Sequence, residues 1–215
     1  MKLKCLACIL AAALLLLVGC GNTDVRPHHY GSFREVIDAP GSRGPLAETL
    51  EELEERVPNI VRGRIGSDAR IVYQFTSITY PDRPTLGHNR VSLEILEVIQ
   101  GDLRVGETIC ILEPYYIFGR TLFTWANYMP SIPYQEYIFF LGYQLTEMIT
   151  DTIARPEEYV GAYYVRQGEF GRFPVLTDTE ADIQNFSAND LSLGRYANIE
   201  LYLRLWQDVL DAFIN

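Results

Sequence analysis

The chain of 215 residues carries 28 acidic and 18 basic side chains, a formal charge of −10, and its only lysines are Lys2 and Lys4. So acidic a chain gains little from a phosphate backbone, which argues against nucleic acid as a partner. Without a lysine past residue 4 there is no Schiff-base lysine and no P-loop lysine. At roughly 100–200 residues per domain, one domain with appendages is expected. The 14 tyrosines and 10 phenylalanines, set among 11 prolines and 16 glycines, point to strands separated by tight turns.

Lys2 and Lys4 precede an unbroken apolar run from Cys5 to Val18. As a helix this run is about 21 Å long. That is short of the roughly 30 Å bilayer core, so it reads as the apolar part of a secretory signal rather than a span. The Leu17-Val18-Gly19-Cys20 sequence that follows resembles the lipobox of bacterial lipoproteins, in which a leucine and small residues precede an obligatory cysteine. The resemblance implies a signal peptide over 1–19, a diacylglyceryl thioether on Cys20 and a mature chain starting there with a charge of −12. It also implies an extracytoplasmic protein on the outer face of the cell membrane, or on the outer membrane of a Gram-negative cell. A plain secretory signal with an incidental Cys20 is the competing reading. Buried acyl chains contribute about 0.8 kcal/mol per methylene, so two or three of them hold a protein on a membrane durably. Cys5 and Cys8 leave with the signal, so Cys110 alone remains and no intramolecular disulfide can form. Within Thr108–Leu112, Cys110 reads as a buried strand residue.

Residues 20–45 read as the lipidated N-terminus and a flexible tether, although Tyr30, Phe33, Val36 and Ile37 suggest that its second half docks on the domain. The domain itself is expected over 46–215. A first helix is predicted over 46–57, with Leu46, Leu50, Leu53 and Val57 on one face, a Thr49/Glu52 capping box and Pro58 as its stop. Strands follow over 59–65 and 69–78. In the strand over 90–99, Val91, Leu93 and Ile95 alternate before the parity shifts to Leu96 and Val98, which predicts a bulge. Gln100-Gly101-Asp102 turns the chain into a partner strand over 107–113. The segment over 134–143 holds Tyr137-Ile138-Phe139-Phe140-Leu141, apolar on both faces, and so reads as a central strand. Strands over 159–166 and 169–176 are expected to form a hairpin through Gln167-Gly168. An amphipathic helix over 196–213 completes the chain, with Ile199, Tyr202, Leu203, Trp206, Val209, Leu210 and Phe213 as its apolar stripe.

These elements predict a mainly β domain: a small OB-like barrel, closed or partly open, of about 5–7 strands, with a short N-terminal helix and a C-terminal amphipathic helix. A β-sandwich is the alternative. Ile60-Val61-Arg62-Gly63, the strand and turn from Leu96 to Asp102, Tyr137–Leu141 and Gly168–Phe170 together resemble a group of uncharacterised bacterial lipoproteins and secreted proteins. Their domains are similar to the OB-like fold of netrin modules and tissue inhibitors of metalloproteases. Those inhibitors depend on a free N-terminal cysteine and disulfides, and this chain has neither, so zinc-chelating inhibition is not implied.

No G-x-S-x-G elbow, H-E-x-x-H helix or C-x-x-C pair occurs. His28 and His29 fall in the tether, and His88, in Gly87-His88-Asn89, reads as an exposed turn residue. Asp178, Glu180 and Asp182 alternate like the start of a calcium loop, but Ile183 stands where that loop needs glycine. No catalytic residue, metal site or cofactor is assigned.

The most suggestive segment is the long connection from Glu113 to Pro133, which holds Tyr115, Tyr116, Phe118, Arg120, Phe123, Trp125 and Tyr128. Clustered aromatics with an arginine match the makeup of a binding hot spot. Equally, the segment could fold over a barrel end and complete the core. The expected function is a non-catalytic binding or accessory module of the cell envelope, held on the membrane by its lipid, with an envelope protein or cell-wall component as partner. The alternative is an envelope hydrolase, which requires two carboxylates converging in one concavity.

Overall fold

The computed structural model describes residues 35–39, 47–74, 84–146, 157–175 and 198–214. Cys20, His28, His29 and the acidic residues 178–182 lie outside these, as does the end of the strand expected over 69–78. In chain order the elements are β1 (Glu35–Ala39), α1 (Leu50–Glu55), β2 (Asn59–Ile65), β3 (Arg70–Gln74), β4 (Leu86–Gln100) and β5 (Thr108–Glu113). There follow β6 (Tyr115–Phe118), β7 (Thr121–Trp125), β8 (Glu136–Gln144), β9 (Ala162–Val165), β10 (Arg172–Pro174) and α2 (Ile199–Phe213).

Five strands close into a ring. β2 pairs antiparallel with β4 and β8, β4 pairs with β5, β5 runs parallel to β9, and β9 returns antiparallel to β8. This is the OB-like barrel expected from the strand pattern, with β3 added along the first half of β4. Closing so small a ring demands sharply bent strands, and β4 supplies the bend. Arg62 pairs with Glu97 and Gly63 with Ile95, leaving Leu96 unmatched; Ile99 is skipped in the same way between Val98 and Gln100. The first of these bulges sits where the apolar parity shifts, because an extra residue reverses which face each side chain takes.

β8 is apolar on both faces because it divides two cores. Tyr137, Phe139 and Leu141 point into the barrel with Val61, Val91, Leu93 and Ile111. Ile138 and Phe140 point outward beneath α2, against Tyr202, Leu205, Trp206 and Val209. Leu205 is fully buried although it lies off the predicted stripe. The Trp206 indole donates to the Pro174 carbonyl at 2.8 Å. α1 packs on the same layer through Leu53. It is shorter than expected, because Thr49 caps it by accepting from the Glu52 N–H at 3.3 Å. The Glu52 carboxylate reaches back to the Glu48 N–H rather than to the cap residue itself.

One expectation is corrected. β9 and β10 do not form a hairpin; both pair antiparallel with β8, along successive stretches of one edge. Gln167 (φ 64°) and Gly168 (φ 57°) are the left-handed pair that a tight hairpin would need. Here they lead into a 3-10 turn over Gly168–Gly171, after which the chain resumes in its former direction. Gly168 is required by proximity as well, since a Cβ there would lie 2.4 Å from that of Ala126. Within the expected tether, residues 35–39 form β1, which pairs parallel with β7, in line with the docking that Val36 and Ile37 suggest. The connection from 113 to 133 is itself a β6–β7 hairpin, so β1, β7 and β6 make a separate three-stranded sheet.

The barrel interior encloses charge. Arg172 is buried on β10, its guanidinium 5.0 Å from the Tyr128 ring centroid and 4.8 Å from that of Tyr137. It donates to the Met129 carbonyl at 2.7 Å. Beyond Tyr128 lies the buried Glu113 carboxylate, which accepts from the Tyr128 hydroxyl (2.7 Å), the Asn89 amide (2.7 Å) and the Ser131 N–H and hydroxyl. Arg172→Ala removes a buried cation together with its packing against two rings and its hydrogen bond to the Met129 carbonyl. The loss is expected to cost about 3 kcal/mol, read as a lower midpoint in urea unfolding.

Candidate functional site

Side chains on a strand alternate between faces, and the register of the small sheet decides which aromatics meet. Val36, Leu122 and Tyr115 face inward and join the barrel core. On the opposite face Ile37 sits beside Phe123, Phe123 beside Tyr116, and Thr121 beside Phe118. The Tyr116 and Phe123 rings stack with centroids 4.7 Å apart and planes within 5°. Tyr73 on β3 meets Tyr116 and Phe118 edge-on, at 6.1 and 6.2 Å, and its hydroxyl donates to the Ile117 carbonyl. Tyr116 also contacts Trp125 at 5.6 Å. Trp125 stacks on His88 at 5.3 Å, and His88 in turn meets Tyr159 and Tyr164 edge-on.

A continuous chain of rings therefore runs from the tip of the hairpin to β9. Its outer end is open: Ile37 and Phe118 are each 37% exposed. They border a concavity of about 300 Å³ with Glu35, Pro84, Thr121 and Phe123.

The sequence-predicted contact residues divide between two environments. Tyr116, Phe118, Phe123 and Trp125 meet on the outer face, and Arg120 is exposed at the hairpin turn beside Phe118. Tyr115 and Tyr128 instead stack on each other within the barrel, where burial and the nearby Glu113 carboxylate push both phenols well above their ordinary pKa. Ile37, Tyr73, His88, Tyr159 and Tyr164 join the site from other segments of the chain. His88 is a correction. It lies within β4, buried on the outer face, and its Nδ1 is 2.8 Å from the Tyr159 hydroxyl.

Three further concavities lie among the described residues. One of about 250 Å³ opens at a barrel end, with Asn89, Glu113 and Ser131 among its lining and Arg70 among its exposed residues. Two more adjoin at the far end of β8 around Tyr143. None of these four concavities is lined by two carboxylates; Glu35, Glu113 and Asp102 each line a different one. No group of three or more His, Cys, Asp or Glu side chains suited to a metal occurs among them either. Cys110 is half-buried, and burial raises its thiol pKa, the reverse of what a reactive thiolate needs. No protein family, curated protein or solved structure matches the chain.

The outward face of β8, β2 and β4 carries an ion-pair ladder: Glu136 bonds Arg62 at 2.8 Å and Arg64 at 2.7 Å, and Arg64 reaches Glu94 at 3.2 Å. Burial raises the Glu136 pKa, but hydrogen bonds from Arg62 and Arg64 outweigh it and hold the carboxyl below its ordinary value. A depressed pKa contributes stability that is present above the unfolded value, near 4.3, and is lost as pH falls through the folded one. Glu136→Gln is therefore expected to make stability fall less steeply from about pH 4.5 to pH 2, measured by urea unfolding across that range.

Proposed function

We propose that the protein is a lipid-anchored, extracytoplasmic binding module, and that it engages an envelope partner through the outer face of the β1–β7–β6 sheet. The observation that carries this reading is the chain of packed rings that ends in exposed Phe118 and Ile37 beside a concavity. Aromatic side chains give large contact area at low entropic cost, and here their packing holds them ready before any partner arrives. β1 lies at an edge of this sheet, which adds main-chain groups to what a partner strand could pair with.

The anchor supports the choice of partner. Fourteen residues lie between Cys20 and Glu35, and at the greatest extension of the chain they span about 50 Å. A diacylated Cys20 would thus keep this face within reach of membrane-bound partners. The hydrolase reading has less support, since the four concavities described above offer at most one carboxylate each.

Two measurements test the two parts. Cys20→Ser is expected to move the protein from the membrane to the soluble fraction and to abolish incorporation of labelled palmitate; continued sedimentation with membranes overturns the anchor. For the face, Ile37→Ser with Phe118→Ser removes two exposed side chains and should leave the thermal midpoint within a few degrees. In-cell crosslinking of the partner should fall about tenfold or more, as for loss of hot-spot residues. Undiminished capture by the double variant overturns the assignment of this face.

A further inference from the structure

At the other end of β8 the geometry points to a second, separate binding site, for a carboxylate-bearing saccharide. Two concavities of about 280 and 230 Å³ adjoin there and share Pro58, Tyr143 and Gln144. Together they fall within the size range of small-molecule sites. Tyr143 stands between them and is 79% exposed, the most exposed large apolar side chain among the described residues. A tyrosine left this open buries little for the fold, yet its ring is available to cover the apolar C–H face of a sugar.

The second element is a positioned cation. Arg166, just past β9, lines the larger concavity together with Arg56. A Cβ placed on Gly142 would meet the Arg166 Cδ at 3.1 Å and Cγ at 3.3 Å. The arginine stem therefore lies along the glycine, and the exposed side chain borders the cleft. Arg56 is paired with Glu52 at 3.2 Å, whereas Arg166 forms no ion pair among the described residues. In a chain of charge −10, an uncompensated guanidinium held over a cleft is a selective feature. Its planar fork fits a carboxylate with two parallel hydrogen bonds.

The rest of the lining suits hydroxyls. Asn59 and Gln144 carry amides, and Thr146 a hydroxyl. The amide nitrogens are already directed into the protein, Asn59 to the Gly142 carbonyl at 3.2 Å and Gln144 to the Gly161 carbonyl at 3.0 Å. Asp102, in the smaller concavity, is an acceptor for sugar hydroxyls and disfavours a second anionic group at that end. One carboxylate near Arg166, a ring face on Tyr143 and hydroxyls toward Asp102 describe an acidic sugar followed by a neutral one. The site shares no lining residue with the concavity of the aromatic face, so either proposal stands or falls alone.

The test uses the full chain in detergent, titrated calorimetrically with a disaccharide that joins one uronic acid to one neutral hexose. Maltose serves as the uncharged control and acetate as the bare anion. The acidic disaccharide is expected to bind at least tenfold more tightly than either control, the scale of one charge-assisted bidentate contact. Arg166→Gln should abolish the preference over maltose, and Tyr143→Ser should weaken both sugars. Both side chains are exposed, so the variants should unfold at the parent's temperature. Absence of binding by the parent overturns the inference, as does a preference untouched by Arg166→Gln. Acetate binding as tightly as the disaccharide also overturns it, by reducing the cleft to a general anion site.

Discussion

A guanidinium cannot shed its proton, so a chain that encloses one must build the surroundings around it. Arg172 makes this demand inside the barrel. Burial disfavours its charge, but the rings and hydroxyls of Tyr128, Tyr137 and Tyr202, together with Glu113, outweigh that effect and raise its pKa further. Each of these partners comes from a different part of the chain: the segment after the hairpin, the central strand, the C-terminal helix and the end of β5. The Tyr202 hydroxyl donates to the Arg172 carbonyl at 2.9 Å, so α2 is tied to the strand that carries the charge. Satisfying one cation thus fixes how four elements meet.

The position of the outer aromatic face follows from that arrangement. Glu113 and Arg172 hold Tyr128, Met129 and Ser131, the chain that leaves the β6–β7 hairpin. The turn at Ala126 and Asn127 is locked from the other side, since both residues adopt positive φ and the Glu169 N–H donates to the Ala126 carbonyl. Such backbone conformations persist in non-glycine residues only where the surroundings over-determine them. The hairpin is therefore braced from within and from beside, and its exposed tip rests on a rigid base.

Much of this was legible from residue order, and the failures have physical causes. Alternation and its shift located the bend of β4, because burial on one face and an inserted residue leave a direct trace in polarity. The two-faced apolar run of β8 revealed that something packs on each side. The Gln167-Gly168 pair correctly signalled left-handed backbone, but local conformation does not specify where the next strand finds its partner; here the free edge of β8 accepted both segments. Gly87 misled in a different way. It was read as turn chemistry around His88, whereas a Cβ there would lie 2.8 Å from the Tyr116 ring. That glycine marks the close approach of a covering hairpin, which buries His88, and no nearby residue announces it. The aromatic site joins residues from Ile37 to Tyr164, and the Tyr143 cleft joins Arg56 to Arg166. Sites assembled across such separations leave no local spacing to read.

The ring also shapes how the chain reaches its native state. β2 meets β8 through Asn59 and Leu141, and the parallel pair of β5 and β9 joins Cys110 to Ala162. Neither contact can form until a long intervening stretch has been brought to order, and loop entropy must be met before those hydrogen bonds give anything back. The β6–β7 hairpin, by contrast, is local and can nucleate early. A slow search ended by cooperative closure of the ring is the consequence expected of such distant pairings.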